Sequence, residues 1–515
     1  MQITKGRKRM AMVLVLSLWT GLFTGCSGAG QEENLTTTGF AFDTTYTVTL
    51  YEGGSKEILD SCIKKCSEYE RIFSRTMEDS ELYQVNELEK MYGQVLRNMD
   101  GACEIPYSEE EVQALSAAID GKKSEKNTLS YQIEEDGRMV ISVSDMLRDI
   151  IIKGLEYCEI SGGSFDIAIE PLTSIWNFKE ENPVIPDKKA VKAALPLVDY
   201  RKISLEGNHL GFQQPGMGVD LGGIAKGFIA DDLKNYLKGQ GVLRAFIYLG
   251  GNVLCFGGKS ETEAFRIGIQ QPFADRNEIA AAVEVRDFSV VSSGIYERYI
   301  KTEDGKMYHH ILNPQTGYSY DNDLSGVTIL SEKSVDGDGL STTCFAMGKE
   351  KGLRYIDSLE GVYAVFITKD GKLWYSDGMK DFLCDAWQEY AGICKEKSSI
   401  LIQHEMIYFI SGLSCFVSGG RWKGMEKIRK EYRFTGRVQG VGFRYHAYHT
   451  AQLLGITGWV QNCYDGSVIA QAQGHPEVLK DFVAMLGQGR YIAIDEMEER
   501  EVPVNEDERG FKVLH

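Results

Sequence analysis

The chain has 515 residues, of which 43% are hydrophobic and 25% charged, the balance of ordinary globular domains with full cores. This length predicts two to four domains. The formal net charge of −18 excludes a protein whose main task is binding the phosphate backbone of a nucleic acid, because such proteins present clustered Lys and Arg. Any nucleotide that this chain binds is therefore expected to be a small molecule.

The first residues have the pattern of a bacterial export signal. A basic stretch, KGRKR at 5–9, precedes the apolar MAMVLVLSLWTGLF at 10–23, which is too short to span a membrane comfortably. Small residues directly before Cys26 resemble the lipobox of lipoproteins, so we predict a lipoprotein signal peptide over 1–26 with lipidation at Cys26. The alternative is an ordinary secretory signal cut nearby. The lipobox predicts a protein anchored by lipid to the extracytoplasmic face of the bacterial cell membrane.

Periodicity then predicts the elements in chain order. Apolar alternation predicts a strand within LTTTGFAFDTTYTVTLYEGG (35–54), and helical spacing predicts helices over 57–73 and 144–161. The polar stretch at 90–138 has the composition of an insertion. From 163 to about 390, short β-rich runs alternate with Gly turns and a few helices, which indicates a layered α+β fold.

Residues 391–424 differ from the chain on either side. Their apolar part, 406–417, is too short for a membrane span because Gln, His and Glu occupy 403–405, so we predict a linker, with a docking segment as the alternative. A new domain is predicted to begin at Met425 and to run to residue 515. The eleven cysteines are scattered without a CxxC motif or a zinc pattern, and we expect most of them to be buried thiols.

The sequence DLGGIAKG (220–227) is similar to a phosphate loop but is not a Walker A motif. Lys226 is followed by Gly227, at the position where a Walker A motif needs a Ser or Thr. Such glycines let backbone approach a diphosphate closely. Taken alone, the motif could equally be a Gly-rich turn that leads into a helix.

Two further stretches suggest chemistry next to this turn. In DGDGLSTTCFAMG, Asp338 and Thr342 are four residues apart and share one helical face, and a carboxylate with a hydroxyl suits Mg²⁺. In YHHILNPQTGYSY, His310 can accept a proton near neutral pH. The alternatives are that Asp338 only caps a helix and that His310 is a hydrogen-bonded core residue.

The turn is one of seven motifs that occur in a fixed order over roughly 40–388. They occur in the order SRTMEDSEL, FDIAIEPL, DLGGIAKG, LGGNV, SSGIYER, HHILNPQTGYSYDNDLSGVTIL and DGLSTTCFAMG. Together they resemble the FAD:protein FMN transferases, the ApbE-type flavinyltransferases. The resemblance implies an ApbE-type layered α/β transferase domain over 35–390. It also implies Mg²⁺-dependent transfer of FMN from FAD to a Thr or Ser of a target protein, with release of AMP.

The resemblance also implies roles for single residues. The metal ligands would be the backbone carbonyl of Gly223 with Asp338, Ser341 and Thr342, and His310 would help to activate the target hydroxyl. The implied FAD-contacting positions are Ser164, Phe165, Asp166, Asp220, Lys226 and Leu312.

The chain departs from the family pattern at a few positions. Asn313 replaces an Asp, and Phe42-Asp43 replaces Met-Gly before TTY. None of these changes removes a predicted metal ligand or His310. The expected partner is a flavin-accepting subunit of a membrane redox complex. Two alternatives use the same site, namely hydrolysis of FAD to FMN and AMP, and a non-catalytic lipoprotein that binds and delivers flavin.

The C-terminal stretch has its own motif. GRVQGVGFR (436–444) combines glycines that free backbone amides with Arg444 at a helix start, a shape suited to an anion. The order of elements predicts a ferredoxin-like βαββαβ domain over 425–515. It resembles acylphosphatase, which implies that Arg444 binds the phosphate of an acyl phosphate and that Asn462 orients the attacking water. The alternative is a vestigial appendage.

Overall fold

The computed structural model describes residues 34–98, 106–180, 183–274, 278–302, 304–384, 408–409, 427–440, 442–487, 492–505, 508 and 510–514. The predicted signal peptide with Cys26 lies outside these residues, as does the predicted linker except for 408–409, so both stay predictions. In this described part of the chain no helix is both long and apolar enough to cross a membrane.

The N-terminal region, up to residue 409, contains both helices and strands. Its helices are α1 Lys56–Phe73, α2 Glu81–Asn98, α3 Glu109–Asp120, α4 Asp145–Ile160, α5 Glu170–Trp176, α6 Lys188–Ala194, α7 Ala225–Gly239, α8 Ser334–Met347 and α9 Lys349–Asp357. Short 3₁₀ helices cover Ile167–Ile169, Leu195–Leu197, Tyr200–Lys202 and Met379–Phe382.

The strands of this region are mostly short. They are β1 Leu35–Ala41, β2 Thr44–Glu52, β3 Tyr131–Ile133, β4 Met139–Ser142, β5 Ile203–Glu206, β6 His209–Phe212, β7 Arg244–Leu249, β8 Asn252–Phe256, β9 Phe265–Gln270, β10 Ile279–Val285, β11 Ser289–Gly294, β12 Tyr299–Lys301, β13 Met307–His309, β14 Leu324–Ser331, β15 Tyr363–Thr368, β16 Leu373–Tyr375 and β17 Tyr408–Phe409.

The main sheet has the strand order β1-β2-β7-β8-β11-β14-β15-β16, and neighbouring strands are antiparallel. Both of its faces are covered, as β7 illustrates. Ala245, Ile247 and Leu249 belong to the core beneath the helices, whereas Phe246 and Tyr248 pack against β9 and β10. Successive side chains of a strand point to opposite faces, so this run is apolar throughout because it lies between two layers. The predicted layered α+β architecture is confirmed.

One prediction about local structure was wrong. The stretch at 35–54 forms a hairpin, not one strand, since Ala41 pairs with Thr44 and leaves Phe42 and Asp43 as a two-residue turn. Sequence reasoning missed this turn because it contains neither Gly nor Asn.

The predicted insertion at 90–138 packs into the domain. Helix α3 buries Leu115 and Ile119 in the main core, and β3 and β4 join the sheet β3-β4-β6-β5.

The C-terminal domain consists of β18 Ile428–Arg437, α10 Phe443–Leu453, β19 Thr457–Asn462, β20 Val468–Gly474, α11 Pro476–Leu486, β21 Ala493–Val502 and β22 Phe511–Leu514. Its sheet has the order β21-β18-β20-β19-β22. The predicted βαββαβ order is confirmed, and β22 adds a strand that runs parallel to β19. Tyr432, Phe434 and Phe482 are among the side chains of a core that belongs to this domain.

Helices α7 and α8 approach each other closely at Gly227. A Cβ atom at this position would lie 2.4 Å from the carbonyl oxygen of Ser334 and 2.6 Å from the Cα of Val335. Asp231, one turn further along α7, accepts hydrogen bonds from the backbone N–H groups of the same two residues at 2.9 Å each. These contacts hold the first turn of α8 against α7, so the backbone cannot shift cheaply.

We therefore predict that Gly227→Ala lowers the free energy of unfolding by about 1–3 kcal/mol, the usual cost of overpacking a close contact. The matched control is Gly239→Ala at the end of the same helix, where no heavy atom lies within 4 Å of the added Cβ. That variant should be neutral or more stable, because Ala is the better helix former. Urea unfolding followed by circular dichroism measures both, and equal midpoints for Gly227→Ala and the unmodified protein would contradict the prediction.

Candidate functional site

The predicted phosphate turn, DLGGIAKG, leads into α7. Its first residue, Asp220, stabilises the conformation of the turn. The Asp220 carboxylate accepts hydrogen bonds from the Gly222 N–H at 2.9 Å and the Thr173 hydroxyl at 2.8 Å, and it pairs with Arg75 at 3.1 Å. Burial by itself raises the pKa of Asp220, but Arg75 and these donors outweigh burial and the pKa is lowered. Asp220 is therefore an ionised anchor of the turn.

Sequence reasoning missed Arg75. It lies in the motif SRTMEDSEL, and its guanidinium also donates a hydrogen bond to the Ser174 hydroxyl at 3.2 Å. The motif was visible in the sequence, but nothing in the sequence connects this arginine with Asp220. Only the fold brings the two together.

The turn is joined to α8 through Asp338. This carboxylate is 5% exposed and accepts hydrogen bonds from the Gly227 N–H at 2.6 Å and from the Asn252 side-chain amide at 3.3 Å. Burial raises the pKa of Asp338, and the nearby Lys226 opposes that rise. The sequence-predicted residues Lys226 and Asp338 are therefore close in space. Asn252, from the LGGNV motif, is a further residue of the site that the sequence did not single out.

The two predicted hydroxyl ligands lie one turn further along α8. The Ser341 hydroxyl is 2.7 Å from the Ser293 hydroxyl at the end of β11 and donates a hydrogen bond to the Asp338 carbonyl at 3.0 Å. The Thr342 hydroxyl is 3.5 Å from the same Ser293 oxygen. Ser341 and Thr342 thus share one partner, and Ser293 is another oxygen donor that the sequence did not single out.

These donors fit Mg²⁺, which prefers oxygen ligands and keeps waters and substrate phosphates in its shell. They comprise a carboxylate, two hydroxyls and a backbone carbonyl. Asp338 is buried, and no group of three or more His, Cys, Asp or Glu side chains in the described ranges could hold a metal ion. A cation here would therefore share its shell with an anionic substrate.

The predicted FAD-contacting segment Ser164–Asp166 packs directly on the turn. A Cβ on Gly223 would lie 2.9 Å from the Phe165 ring, so this approach requires glycine. Asp166 does not lie on a strand but caps the 3₁₀ helix Ile167–Ile169. Its carboxylate accepts hydrogen bonds from the N–H groups of Ala168 at 2.7 Å and Tyr200 at 3.0 Å, and burial raises its pKa to about 6. The short helix is too brief to leave a periodic signal in the sequence.

His310 follows β13 and is held by the backbone of Arg298. Its N–H donates to the Arg298 carbonyl at 3.1 Å, and its Nδ1 lies 3.3 Å from the same oxygen. Because a carbonyl only accepts, Nδ1 carries the proton and Nε2 is left as a proton acceptor. Burial, Arg298, His309 and Lys226 together lower the pKa of His310 to about 3, so the ring is neutral at physiological pH.

His309 and Leu312, which lie close to His310 in the sequence, are packed within the fold. His309 is buried, its Nε2 lies 2.9 Å from the Tyr320 carbonyl, and burial lowers its pKa to about 4. Leu312 packs in a cluster with Trp176, whose indole N–H donates to the Gly317 carbonyl at 2.8 Å. Trp176 is thus a core residue, and Leu312 packs the loop that carries His310 against it.

Four cations surround this site although the whole chain is acidic. Two of them have direct carboxylate partners, since Arg75 pairs with Asp220 and Lys179 pairs with Asp43. Burial raises the pKa of Asp43, but Lys179, Arg298 and Arg75 outweigh burial and lower it. Lys226 and Arg298 are the other two cations. Such a concentration of positive charge favours a diphosphate.

The second site lies in the C-terminal domain. Gly440 and Gly442, in the predicted anion loop, have φ values of 72° and 75°, which favour glycine. Arg444 follows at the start of α10, and its Nη1 donates to the Leu514 carbonyl at 3.4 Å. Asn462 ends β19, and its buried Oδ1 has no hydrogen-bond partner among the described residues. A buried acceptor of this kind suits an ordered water.

Gln439 is a residue of this second site that the sequence did not single out. Its side-chain amide donates hydrogen bonds to the carbonyls of Cys463 and Ser467, both at 2.7 Å. Those two residues belong to the turn that follows Asn462. The anion loop is therefore fastened to the segment that carries Asn462.

Comparisons with known proteins assign two families to the chain. The ApbE family model matches residues 99–367, and the acylphosphatase family model matches residues 430–513. The FAD:protein FMN transferase of Klebsiella pneumoniae is 38% identical over 236 residues, which is 45% of this chain and 72% of the relative. That of Treponema pallidum is 35% identical over 260 residues, 48% of this chain and 72% of the relative.

A solved structure supports the fold. The flavin transferase ApbE from Vibrio cholerae superimposes with a TM-score of 0.53 at 24% identity, and the match covers 68% of this chain and 99% of that protein. The family model and the two relatives confirm the resemblance found in the serial motifs. The chain belongs to the ApbE family and carries an acylphosphatase domain at its C-terminal end.

Proposed function

We propose that the chain is an FAD:protein FMN transferase that moves FMN from FAD to a Thr or Ser hydroxyl of a target protein and releases AMP. The observation that carries this proposal is the hydrogen bond from the Gly227 N–H to Asp338. It brings the Gly-rich turn and the hydroxyl-bearing helix α8 to one place, with a neutral His310 nearby. The names of the relatives from Klebsiella and Treponema support it.

The chemistry follows from the residues present. Asp338, Ser341, Thr342 and the Gly223 carbonyl would hold Mg²⁺, which when bound compensates the negative charge of the diphosphate. His310 Nε2 takes the proton of the target hydroxyl while that oxygen attacks the phosphorus of the FMN half. The P–O bond to the AMP half breaks, and AMP leaves with the electron pair. The turn holds the diphosphate through backbone N–H groups.

Hydrolysis of FAD would use the same residues with water in place of the hydroxyl, and a flavin carrier would bind without cleavage. Incubating the protein with FAD and Mg²⁺, with and without an acceptor protein, separates the three. AMP release that requires the acceptor supports transfer. Release without it supports hydrolysis, and tight binding without AMP supports a carrier.

Asp338→Asn should lower AMP release at least about 100-fold, because it removes the carboxylate charge opposite the diphosphate. The variant should still fold. Burial raises the pKa of Asp338, which means that the ionised carboxylate destabilises the folded protein, and a neutral amide carries no such penalty. Asp336→Asn is the control, as Asp336 lies on the same helix but pairs with the Tyr157 hydroxyl at 2.7 Å. AMP release within threefold of wild type in Asp338→Asn, measured by chromatography, would contradict the assignment.

His310→Gln should lower transfer about 10²–10⁴-fold and leave the FAD affinity within about threefold, because a general base acts on the hydroxyl and not on the cofactor. Protonation removes the base, so the rate falls as pH falls through the pKa of His310. Because that pKa is lowered to about 3 in the free protein, the acid limb of kcat/KM should lie below the ordinary histidine pKa of about 6.5. The exposed His209→Gln is the control. An acid limb above 6.5, or unchanged transfer by His310→Gln, would count against this role.

We propose that the C-terminal domain hydrolyses acyl phosphates without a metal ion. Arg444 and the loop amides would hold the phosphoryl oxygens, and Asn462 would orient a water toward phosphorus. Water oxygen bonds to phosphorus, the bond from phosphorus to the acyl oxygen breaks, and the carboxylate leaves. The phosphate itself can take the proton of the water, so no side-chain base is needed.

Arg444→Lys should reduce hydrolysis of benzoyl phosphate in EDTA by at least about tenfold, since a point charge cannot replace a bidentate guanidinium. Asn462→Ala should lower kcat and change KM little, because Asn462 positions the nucleophile. Arg500→Lys is the control, as Arg500 is exposed on β21. If the folded wild-type protein did not hydrolyse benzoyl phosphate, the C-terminal domain would be an appendage without this activity.

We further propose that Cys26 is lipidated and that the protein acts at the extracytoplasmic face of a bacterial membrane, on a flavin-accepting subunit of a redox complex. The export pattern at 5–26 supports this location. Labelling of cells with a radioactive fatty acid should mark the wild-type protein and not Cys26→Ser. Equal labelling of the two would rule out this anchor.

A further inference from the structure

The loop between β11 and β12 connects the two halves of the transferase site. At the end of β11, the Ser293 hydroxyl meets the hydroxyls of Ser341 and Thr342 at 2.7 and 3.5 Å. The chain then turns, with Glu297 N–H donating to the Gly294 carbonyl, and reaches Arg298 immediately before β12. The loop therefore connects Ser293, which contacts two of the predicted metal ligands, with Arg298, whose carbonyl contacts the predicted base.

The backbone of Arg298 contacts that base directly. Its carbonyl accepts hydrogen bonds from the N–H of His310 at 3.1 Å and from Nδ1 of the ring at 3.3 Å. The strands next to it keep this geometry, because Tyr299 of β12 pairs with His309 of β13. A movement of Arg298 would therefore move the imidazole as well.

The charged group of Arg298 differs from those of Arg75 and Lys179 in having no direct partner among the described residues. Within the described ranges it makes no hydrogen bond or ion pair, whereas Arg75 and Lys179 are each paired with a carboxylate. It is only half exposed, and its charge acts on both Asp43 and His310. A guanidinium has five donors in a planar fork, and leaving them unsatisfied in a half-buried position is costly.

Lys226 is a second cation whose charge reaches His310. Its charge acts on His310 and on Asp338, and in the described part of the chain it too lacks an ion pair. Among the described residues, Arg298 and Lys226 are thus cations without an ion pair whose charges both act on the proposed base. A ligand that could pair with two such groups is an anion with charge on adjacent centres, and a diphosphate has this property.

We propose that Arg298 is a diphosphate-binding residue of the transferase site, in addition to the residues assigned above, and that it couples FAD binding to the basicity of His310. The proposal rests on the proposed FAD chemistry. Phosphate oxygens would accept hydrogen bonds from the guanidinium and compensate its charge. The field that disfavours a proton on His310 would then weaken, so the imidazole would become a stronger base only when FAD is present.

The test compares the affinity of the full protein for FAD and for riboflavin, which has no phosphate, by flavin fluorescence in EDTA. Arg298→Gln should weaken FAD binding at least about tenfold and leave riboflavin binding within twofold, because charged hydrogen bonds to phosphate are lost. Arg298→Lys should recover part of the loss. The control is Arg138→Gln, whose arginine is of similar exposure and pairs with Asp136 away from the site.

A second measurement distinguishes electrostatic coupling from a purely structural role. Removing the Arg298 charge should move the acid limb of kcat/KM to higher pH, since one of the cations that disfavour protonation of His310 is gone. Wild-type FAD affinity in Arg298→Gln would overturn the proposal. So would equal losses of FAD and riboflavin affinity, which indicate a damaged pocket.

The proposal can fail separately from the transferase function. If the wild-type protein binds FAD but never releases AMP, transfer is refuted while the binding comparison still decides the role of Arg298. If the wild-type protein binds neither FAD nor inorganic pyrophosphate, the anion site itself is refuted. If the wild-type protein releases AMP normally and Arg298→Gln matches it in FAD affinity and in the pH profile of kcat/KM, only the role of Arg298 is refuted.

Discussion

The transferase site depends on one hydrogen bond, from the Gly227 N–H at the start of α7 to the buried carboxylate of Asp338 on α8. A buried charge is costly unless it is compensated, and the positive end of a helix dipole compensates it. The bond forms only because Gly227 has no side chain, which lets the helices approach to within backbone contact. Both the close packing of the two helices and the hydrogen bond to Asp338 therefore require glycine at position 227.

The distribution of charge around this bond decides what the site can bind. Asp220 and Asp43 neutralise Arg75 and Lys179, and these pairs fix the turn and the β1–β2 hairpin. The hairpin turn itself is unusual, since Phe42 and Asp43 both have positive φ, of 57° and 56°. Two such residues cost on the order of 1–3 kcal/mol each, and the ion pair of Asp43 helps to hold them. Strain of this kind is typical of functional sites, and it falls where the sequence departs from the Met-Gly of the family.

The two domains present different sets of groups that suit phosphate. The N-terminal site combines a Gly-rich turn with oxygen ligands suited to a cation, and its carboxylate must be held away from water. The C-terminal site has a guanidinium and loop glycines, with Gln439 fastening the loop to the turn that follows Asn462. The first design suits a diphosphate that carries more charge. The second suits a single phosphoryl group with a good leaving group.

The sequence by itself determined the layered α+β class, the order of elements in the C-terminal domain and the family, because periodicity and serial motifs are local properties of the chain. It also placed Lys226, Asp338 and His310 in one site, through the resemblance. Only the tertiary structure decided that Arg75 pairs with Asp220, that Asp166 caps a short 3₁₀ helix, and that the Arg298 carbonyl fixes the tautomer of His310. These are contacts across the fold, and no local pattern encodes them, since the residues meet only when the helices and sheets have packed.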